Sequence, residues 1–320
     1  MTLDRLTEAI QGYNGPPLRF MEVCGTHTRQ LSHLGIPSLL PTGIALLSGP
    51  GCPVCVTPAA YFNALKDNVL CFGDLMKFVP GARMIYSPLD AADIAENNPG
   101  KQFVVAAVGF ETTVPAYALL LEELIMRKIK NVKLLTALKT MPDALEFICE
   151  HETVDAFLCP GHVSVITGIM PYERLFEKYK MPFVIAGFEP ENILFAVRKI
   201  ITSPPGVFNL YPQVVSEKGQ KRALALIDKF FEPSDAYWRG IGTIKGSGLV
   251  LKKEFAQFGA ANGEFSDESR GCRCGDVMLG RIDPPDCTAF GRECTPQRPV
   301  GACMVSDEGA CGIWMNGGEI

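Results

Sequence analysis

The sequence lacks several features that define common classes of protein. No run of about 20 uncharged apolar residues occurs, so no transmembrane helix is predicted. Charges at Asp4, Arg5 and Glu8, without an apolar core, make residues 1–20 unlike a secretory signal. The common glycine-rich phosphate-binding motifs are absent, and a net charge of −5 gives no general attraction to nucleic acid or anionic lipid. We therefore expect a cytoplasmic protein that binds neither nucleic acid nor a membrane.

Histidine is also scarce, whereas cysteine is not. The chain has 4 histidines, none of them beyond His162, and 12 cysteines. The last 49 residues contain half of these cysteines, namely Cys272, Cys274, Cys287, Cys294, Cys303 and Cys311. A metal bound in this segment would be held by thiolates alone, which indicates zinc or an iron–sulfur cluster.

The spacing of these six cysteines favours a cluster over zinc. Zinc sites usually pair their ligands in two Cys-x-x-Cys knuckles, whereas this segment has one Cys-x-Cys followed by scattered single cysteines. Six thiols also exceed the four that one cluster requires, which leaves two for redox chemistry. Zinc and plain disulfides remain as alternatives, although the thiols of a cytoplasmic protein usually stay reduced.

The first two thirds of the chain alternate between strand and helix patterns. Apolar runs rich in β-branched residues predict strands at residues 18–23, 45–48, 84–87, 103–110, 132–138, 156–159 and 183–187. Amphipathic stretches predict helices at residues 116–130, 142–151, 171–179 and 191–200. Apolar strands joined by helices are typical of parallel sheets that are covered on both faces.

The sequence thus predicts an α/β protein with two parallel-sheet domains of related topology that face a cleft. We expect these domains to be residues 1–98 and 99–203. After a Ser-Pro-Pro-Gly break, residues 204–320 are predicted to form a C-terminal region rich in cysteine, with the iron–sulfur site beginning at about residue 271.

Unusual polar motifs follow five of the predicted strands. Ligands of open parallel sheets bind beyond the carboxyl ends of the strands, so we expect these motifs to form one site in the cleft. The residues concerned are Cys24 and His27 after the first strand, Cys52 and Cys55 after the second, and Glu111, His162 and Glu189 after three later strands. The two glutamates follow matching Gly-Phe pairs, which favours a role as hydrogen-bond acceptors or proton carriers.

The cysteines of this site differ in what their spacing indicates. Cys52 and Cys55 form a Cys-x-x-Cys pair before a predicted helix at residues 58–66, which is typical of a redox dithiol. Half of a zinc knuckle or two buried thiols is the alternative. Cys24 stands alone between polar residues, and it is either a nucleophile or metal ligand, or a buried structural residue.

Together these motifs resemble the [NiFe]-hydrogenase maturation factor HypD family. The resemblance spans nearly the whole chain and rests on residues 21–28, 47–57, 72–76, 86–91, 109–113, 160–164, 185–190 and 301–306. One departure is a short passage, residues 77–85, between two of these motifs, where the family usually has a longer one. A paralogue that matures another metalloenzyme is therefore an alternative.

The resemblance implies a scaffold on which the Fe(CN)2CO group of [NiFe] hydrogenase is assembled. Cys24 would bind the iron together with a cysteine of a HypC-type small chaperone, and a HypE-type protein would deliver cyanide. Cys52 and Cys55 would be the redox dithiol, supplied with electrons by a [4Fe–4S] cluster. A cluster-dependent dithiol oxidoreductase without an assembly role and a zinc-stabilised binding module are the alternative functions.

The four cluster ligands must be chosen from six cysteines. We expect one ligand and one non-ligand in Cys272-Arg-Cys274. We expect Cys272, Cys287, Cys294 and Cys311 to be the ligands, and Cys274 and Cys303 to be an accompanying dithiol.

Overall fold

The computed structural model describes residues 3–260, 265 and 271–317. Its strands are β1 (Leu18–Glu22), β2 (Ile44–Ser48), β3 (Val69–Cys71), β4 (Arg83–Met84), β5 (Phe103–Gly109), β6 (Val132–Lys139), β7 (Ala156–Pro160), β8 (Phe183–Ala186), β9 (Val207–Asn209), β10 (Phe231–Trp238) and β11 (Gly242–Leu251).

The α-helices are α1 (Leu3–Gln11), α2 (Gly25–His33), α3 (Ile36–Leu39), α4 (Ala59–Ala64), α5 (Asp90–Glu96), α6 (Val114–Met126), α7 (Met141–His151), α8 (Gly161–Thr167), α9 (Met170–Tyr179), α10 (Pro190–Thr202), α11 (Lys221–Phe230), α12 (Cys274–Met278) and α13 (Ala310–Gly317). Short 3-10 helices cover Gly73–Lys77, Lys253–Phe258, Pro284–Asp286 and Ala302–Met304. Among the described residues, no helix has the length and apolar character needed to cross a membrane.

The chain forms two units, each built from separate stretches of sequence. Unit 1 comprises residues 1–55, 144–220 and 269–320, and unit 2 comprises residues 56–143 and 221–268. Each unit contains one sheet, so the prediction of an α/β protein with two mainly parallel sheets is confirmed.

The sheet of unit 1 has the strand order β2-β1-β7-β8-β9, and all of its neighbouring strands are parallel. Its strands β7 and β8 are short apolar runs whose residues are all buried, as expected for a sheet with helices on its faces. One apolar core lies between this sheet and helices α1, α2 and α10. The carboxyl ends of β1, β2, β7 and β8 therefore lie along one edge of the sheet.

The sheet of unit 2 has the order β10-β11-β6-β5-β3-β4. Strands β3 to β6 are parallel, whereas β10 and β11 form an antiparallel hairpin that pairs with β6. The core of this unit lies between the sheet and helices α5, α6 and α11. The short passage at residues 77–85 contains β4, the edge strand of this sheet, where changes in length disturb few pairings.

The two compact units do not follow the predicted domain boundaries. Residues 1–98 were expected to form one domain, yet β1 and β2 lie in unit 1 whereas β3 and β4 lie in unit 2. Residues 99–203 are divided in the same way, because β5 and β6 belong to unit 2 and β7 and β8 to unit 1. Local patterns of apolar residues specify strands but not which strand pairs with which, so the exchange between sheets could not be read from them.

The cysteine-rich segment near the C-terminus belongs to unit 1 and has little regular structure. Its small core consists of Ala289, Cys294 and Met304, packed against Cys287, Phe290, Cys311 and Met315. Three of these seven residues are cysteines, so the segment depends on its thiols as well as on apolar side chains for packing.

Candidate functional site

Cys24 lies directly after β1 and precedes the first residue of α2. Its backbone N–H donates a hydrogen bond of 3.0 Å to the Glu22 carboxylate, and the other oxygen of that carboxylate accepts a 2.5 Å bond from the Thr28 hydroxyl. Glu22 thus fixes both ends of the turn that carries Cys24. The sequence forms this turn because β1 ends at Glu22 and a short polar helix follows.

Burial is the main cause of the shifted pKa values of Cys24 and Glu22 in this turn. Cys24 is 8 % exposed, and burial raises the pKa of its thiol to about 12, while backbone N–H groups of His27 and Thr26 act in the opposite direction. The pKa of the Glu22 carboxyl is also raised by burial, to about 7, although its hydrogen bonds oppose this rise. Without a bound cation, Cys24 is therefore a neutral thiol at neutral pH, and a metal ion would favour its thiolate.

Cys52 and Cys55 form a disulfide with a Cα–Cα distance of 5.3 Å. The pair follows β2, and the Cys55 N–H donates to Cys52 Sγ at 3.2 Å. The predicted helix after this pair is α4, which begins only at Ala59, so its N-terminus does not contain either cysteine. The expectation that the two thiols can close a disulfide is confirmed.

Glycine allows the loops of Cys24 and Cys52 to touch. A Cβ atom at Gly51 would lie 2.4 Å from the backbone nitrogen of Cys24, closer than any side chain can approach. The Gly51 carbonyl also accepts a 3.2 Å hydrogen bond from Gly25 N–H. The loops that follow β1 and β2 thus bring the lone cysteine close to the disulfide.

The segment between Gly301 and Glu308 contacts both loops. The hydroxyl of the buried Ser306 lies 3.3 Å from Cys52 Sγ. The Glu308 carboxylate accepts a 3.2 Å hydrogen bond from the Thr26 hydroxyl, and its negative charge is one cause of the raised pKa of Cys24. This segment therefore closes the site from the side of the C-terminal cysteines.

All six C-terminal cysteines line one small, largely apolar cavity. Gly301 allows the close approach of this segment to Cys272, since a Cβ atom at Gly301 would lie 2.5 Å from Cys272 Sγ. Burial raises the pKa of the Cys311 thiol, and four nearby thiols add to this rise, namely Cys274, Cys272, Cys294 and Cys287. Cys274 and Cys303 are the most buried members, each 2 % exposed.

Six thiols that line one cavity could supply the four thiolates that a bound iron–sulfur cluster requires. Within the described ranges, no three His, Cys, Asp or Glu side chains are arranged to hold a single metal ion. A structural zinc ion needs four ligands around one centre, whereas the four thiolates of a [4Fe–4S] cluster bind four different irons and lie farther apart. Six thiols around one cavity supply such a donor set.

His27 and His162 both pack against the Phe188 ring, with centroid distances of 4.8 and 4.1 Å. His27 is fully buried; its Nε2 lies 3.1 Å from the Gly187 carbonyl oxygen and must therefore donate to it, whereas its Nδ1 has no partner among the described residues. Burial lowers the pKa of His27 to about 4, and partial burial lowers that of His162. His27 is therefore a neutral imidazole with a free lone pair on Nδ1.

The two predicted glutamates lie in different units. Glu189 is exposed and precedes α10 in unit 1. Glu111 is 5 % exposed in unit 2, where its Oε1 accepts a 2.9 Å hydrogen bond from Met141 N–H and its Oε2 has no described partner. Burial raises the pKa of Glu111 to about 7. The matching Gly-Phe pairs that precede Glu111 and Glu189 therefore did not indicate that the two glutamates share an environment.

Sequence reasoning missed the roles of Glu22 and Glu308. Glu22 is the last residue of β1 and directly follows the apolar Phe20 and Met21, and an acidic residue in such a place was a visible signal of a specific function for its carboxylate. Glu308 follows the 301–306 motif by two residues and carried no signal that would distinguish it from a surface glutamate.

Unit 1 contains a buried cysteine after a strand, a Cys-x-x-Cys pair beside it and a cavity lined by six thiols. This combination is typical of α/β proteins that bind metals or transfer electrons through cysteine. A family model described as HypD, hydrogenase formation hypA family, matches residues 2–318. The hydrogenase maturation factor HypD of Rhodobacter capsulatus is 37% identical, with 98% of this chain and 93% of the relative covered.

Two further relatives agree with this match. A putative hydrogenase expression/formation protein of Methanocaldococcus jannaschii is 38% identical, with 98% of this chain and 94% of the relative covered. The hydrogenase maturation factor HypD of Escherichia coli K12 is 36% identical, with 93% of this chain and 88% of the relative covered. The chain belongs to the HypD family, and the resemblance inferred from its motifs is confirmed.

Proposed function

We propose that this HypD family member acts in hydrogenase maturation as the scaffold on which an iron carrying cyanide and carbon monoxide ligands is assembled. The observation that carries the proposal is that one segment of unit 1 connects Cys24, the Cys52–Cys55 pair and the cavity lined by the C-terminal cysteines. The 301–308 segment contacts the Cys24 turn and the Cys52 loop, and it also contributes Cys303 to the cysteine-lined cavity.

Cys24 is the proposed protein ligand of the substrate iron. Two backbone N–H groups of the α2 turn interact with its sulfur and would stabilise the thiolate that a metal requires. One cysteine leaves most positions of the iron open for the added ligands and for a second cysteine from a HypC-type chaperone. A HypE-type protein would supply the cyanide. Burial of Cys24 would keep competing water away from the iron.

His27 and His162 are proposed to assist on the side of the Phe188 ring. The free Nδ1 lone pair of the neutral His27 can accept a hydrogen bond from a group bound in the site. Glu189 and Glu111 remain candidate proton carriers, and the raised pKa of Glu111 suits that role.

Four of the C-terminal cysteines are proposed to hold a [4Fe–4S] cluster, with Cys272, Cys287, Cys294 and Cys311 as the ligands. When bound, the cluster would supply single electrons of low potential. The buried pair Cys274 and Cys303 would then form the accompanying dithiol. The short 3-10 helix Ala302–Met304 connects Cys303 to Ser306, whose hydroxyl lies beside Cys52.

Metal and sulfide analysis after anaerobic purification with a small chaperone partner tests this proposal. We expect roughly four irons and four sulfides for the cluster, together with additional iron that depends on Cys24. Cys24→Ala should lose the additional iron and keep the cluster. The half-buried Cys149 on α7 provides a matched control, because Cys149→Ala removes a thiol outside both sites. Equal iron in Cys24→Ala and Cys149→Ala would contradict the assignment of Cys24.

A second candidate function is a cluster-dependent dithiol oxidoreductase without an assembly role. The disulfide between Cys52 and Cys55 favours it, since such a pair suffices for the reduction of a partner disulfide. This function requires the dithiol but not Cys24. Full disulfide reductase activity in Cys24→Ala, with no iron beyond the cluster in the wild type, would favour the oxidoreductase. A paralogue serving another metalloenzyme would retain the additional iron but fail to restore a hydrogenase.

A further inference from the structure

A cleft of about 540 Å³ lies within unit 2, and no cysteine is among its lining residues. It is lined by the end of β6 and by residues of the β10–β11 hairpin. Lys139 is the last residue of β6 and pairs with Gly248 of β11. The cleft is thus at the carboxyl end of a parallel strand, where open α/β sheets bind their ligands.

Lys139 is the unusual residue of this cleft. It is 3 % exposed, and no described side chain or backbone group forms an ion pair or hydrogen bond with its ammonium group. Its one described contact is with the ring of Trp238, whose centroid lies 5.8 Å from Nζ. Burial lowers the pKa of Lys139 to about 7. A buried amine without a counter-charge destabilises a fold, so its presence beside a cleft indicates a ligand that supplies the charge.

The remaining lining suits a ligand with one negative charge. Ser234 and Thr243 contribute hydroxyl groups, Tyr237 and Phe265 contribute aromatic rings, and Asp235 contributes a carboxylate whose Oδ1 accepts a hydrogen bond from Gly246 N–H. Lys139 supplies a single positive charge, which matches one carboxylate better than the two charges of a phosphate, and the hydroxyl groups can donate hydrogen bonds to the carboxylate oxygens. The aromatic rings would pack on an apolar body.

We propose that this cleft binds a small organic carboxylate, with its charged group on Lys139 and its apolar part against Tyr237 and Phe265. This function is additional to iron assembly and does not depend on it. The bound carboxylate favours the protonated amine, so binding above neutral pH takes up a proton. Asp235 and Tyr237 are the other ionisable side chains that the described part of the chain contributes to the cleft. Glu111, whose carboxylate binds Met141 two residues after Lys139, titrates in the same range.

Calorimetric titration of the full-length protein with acetate, benzoate and hexanoate tests the proposal. At least one of these should bind, and binding at about pH 8.5 should take up about one proton, seen as a dependence of the enthalpy on the buffer. Lys139→Met should weaken binding by about tenfold or more and abolish the proton uptake, because a charged hydrogen-bond partner is lost. Lys130→Met, which removes an exposed lysine just before β6, should bind as the wild type does.

Three results would overturn the proposal. The first is the absence of binding for all three carboxylates, and the second is equal affinity of Lys139→Met and Lys130→Met. The third is tighter binding of inorganic phosphate than of any carboxylate, which would replace the proposed ligand class. Glu111→Gln separates the two titrating groups: proton uptake that persists in this variant belongs to Lys139, and uptake that disappears contradicts the assigned role of Lys139.

Discussion

Replacement of Lys139 by methionine should stabilise unit 2, and the gain should depend on pH. Methionine has nearly the same length and no charge, so it can fill the space beside Trp238 without a buried ammonium group. Burial lowers the pKa of Lys139 from 10.5 to about 7 in the folded protein. The unfolded chain therefore binds a proton more tightly than the native chain does, and the stability of the wild type rises with pH across this window.

The magnitude follows from the size of the shift. Each pKa unit corresponds to about 1.4 kcal/mol, so the charged lysine costs on the order of 5 kcal/mol below pH 7. The cost should fall to about 3 kcal/mol near pH 8 and vanish near the ordinary pKa of lysine. Lys139→Met should therefore exceed the wild type in stability most below pH 7, and the two should converge as the pH rises towards 10.

Urea unfolding followed by the fluorescence of Trp238, in a Trp314→Phe background, measures this difference at several pH values. The background is useful because the chain has 2 tryptophans, and Trp238 belongs to unit 2. Lys130→Met reports the effect of removing an exposed charge. A difference between wild type and Lys139→Met that is constant from pH 6 to 10, or that has the opposite sign at pH 6, would refute the reasoning.

Two further predictions concern the cysteines of unit 1. Cys287→Ala should bleach the anaerobically purified protein and expose residues 271–320 to proteolysis, because a metal would stabilise a segment with so small a core. Cys303→Ala should keep its colour. A colourless zinc-containing wild type, or a coloured Cys287→Ala variant, would contradict this prediction. Ser306→Ala should move the alkylation profile of the reduced Cys52 thiol to higher pH, since one hydrogen bond to the thiolate is lost, and Ser306→Thr should restore it. Alkylation rates measured against pH would show this shift, and identical profiles for all three proteins would exclude a role for the hydroxyl group.

Much of the fold could be predicted because the parallel strands are buried on both faces. The predicted strands at residues 103–110 and 132–138 correspond to β5 (Phe103–Gly109) and β6 (Val132–Lys139), within one residue at each end. Such apolar runs carry a strong local signal. The hairpin β10–β11 was not predicted, because it contains Pro233 and several glycines that are unusual within strands.

The candidate site was predictable where its residues lie at the ends of strands in the same sheet. Cys24, Cys52 and His162 follow β1, β2 and β7, which are neighbours in unit 1. Glu111 was assigned to the same site as His162, but its strand belongs to the other sheet. Sheet membership depends on long-range pairing, which the local pattern does not encode. Lys139 was missed because a lysine at a strand end is usually exposed, and only tertiary packing buries it.

Infrared spectroscopy tests the central claim most directly, on the protein purified anaerobically with a HypC-type chaperone and iron. Cyanide and carbon monoxide bound to iron absorb where no protein group does. The proposed scaffold predicts bands from both ligands in the wild type and in Cys149→Ala, and their loss in Cys24→Ala with the cluster retained. An iron-loaded wild-type complex without these bands, or bands of equal intensity in Cys24→Ala, would contradict the assembly of the iron group at Cys24.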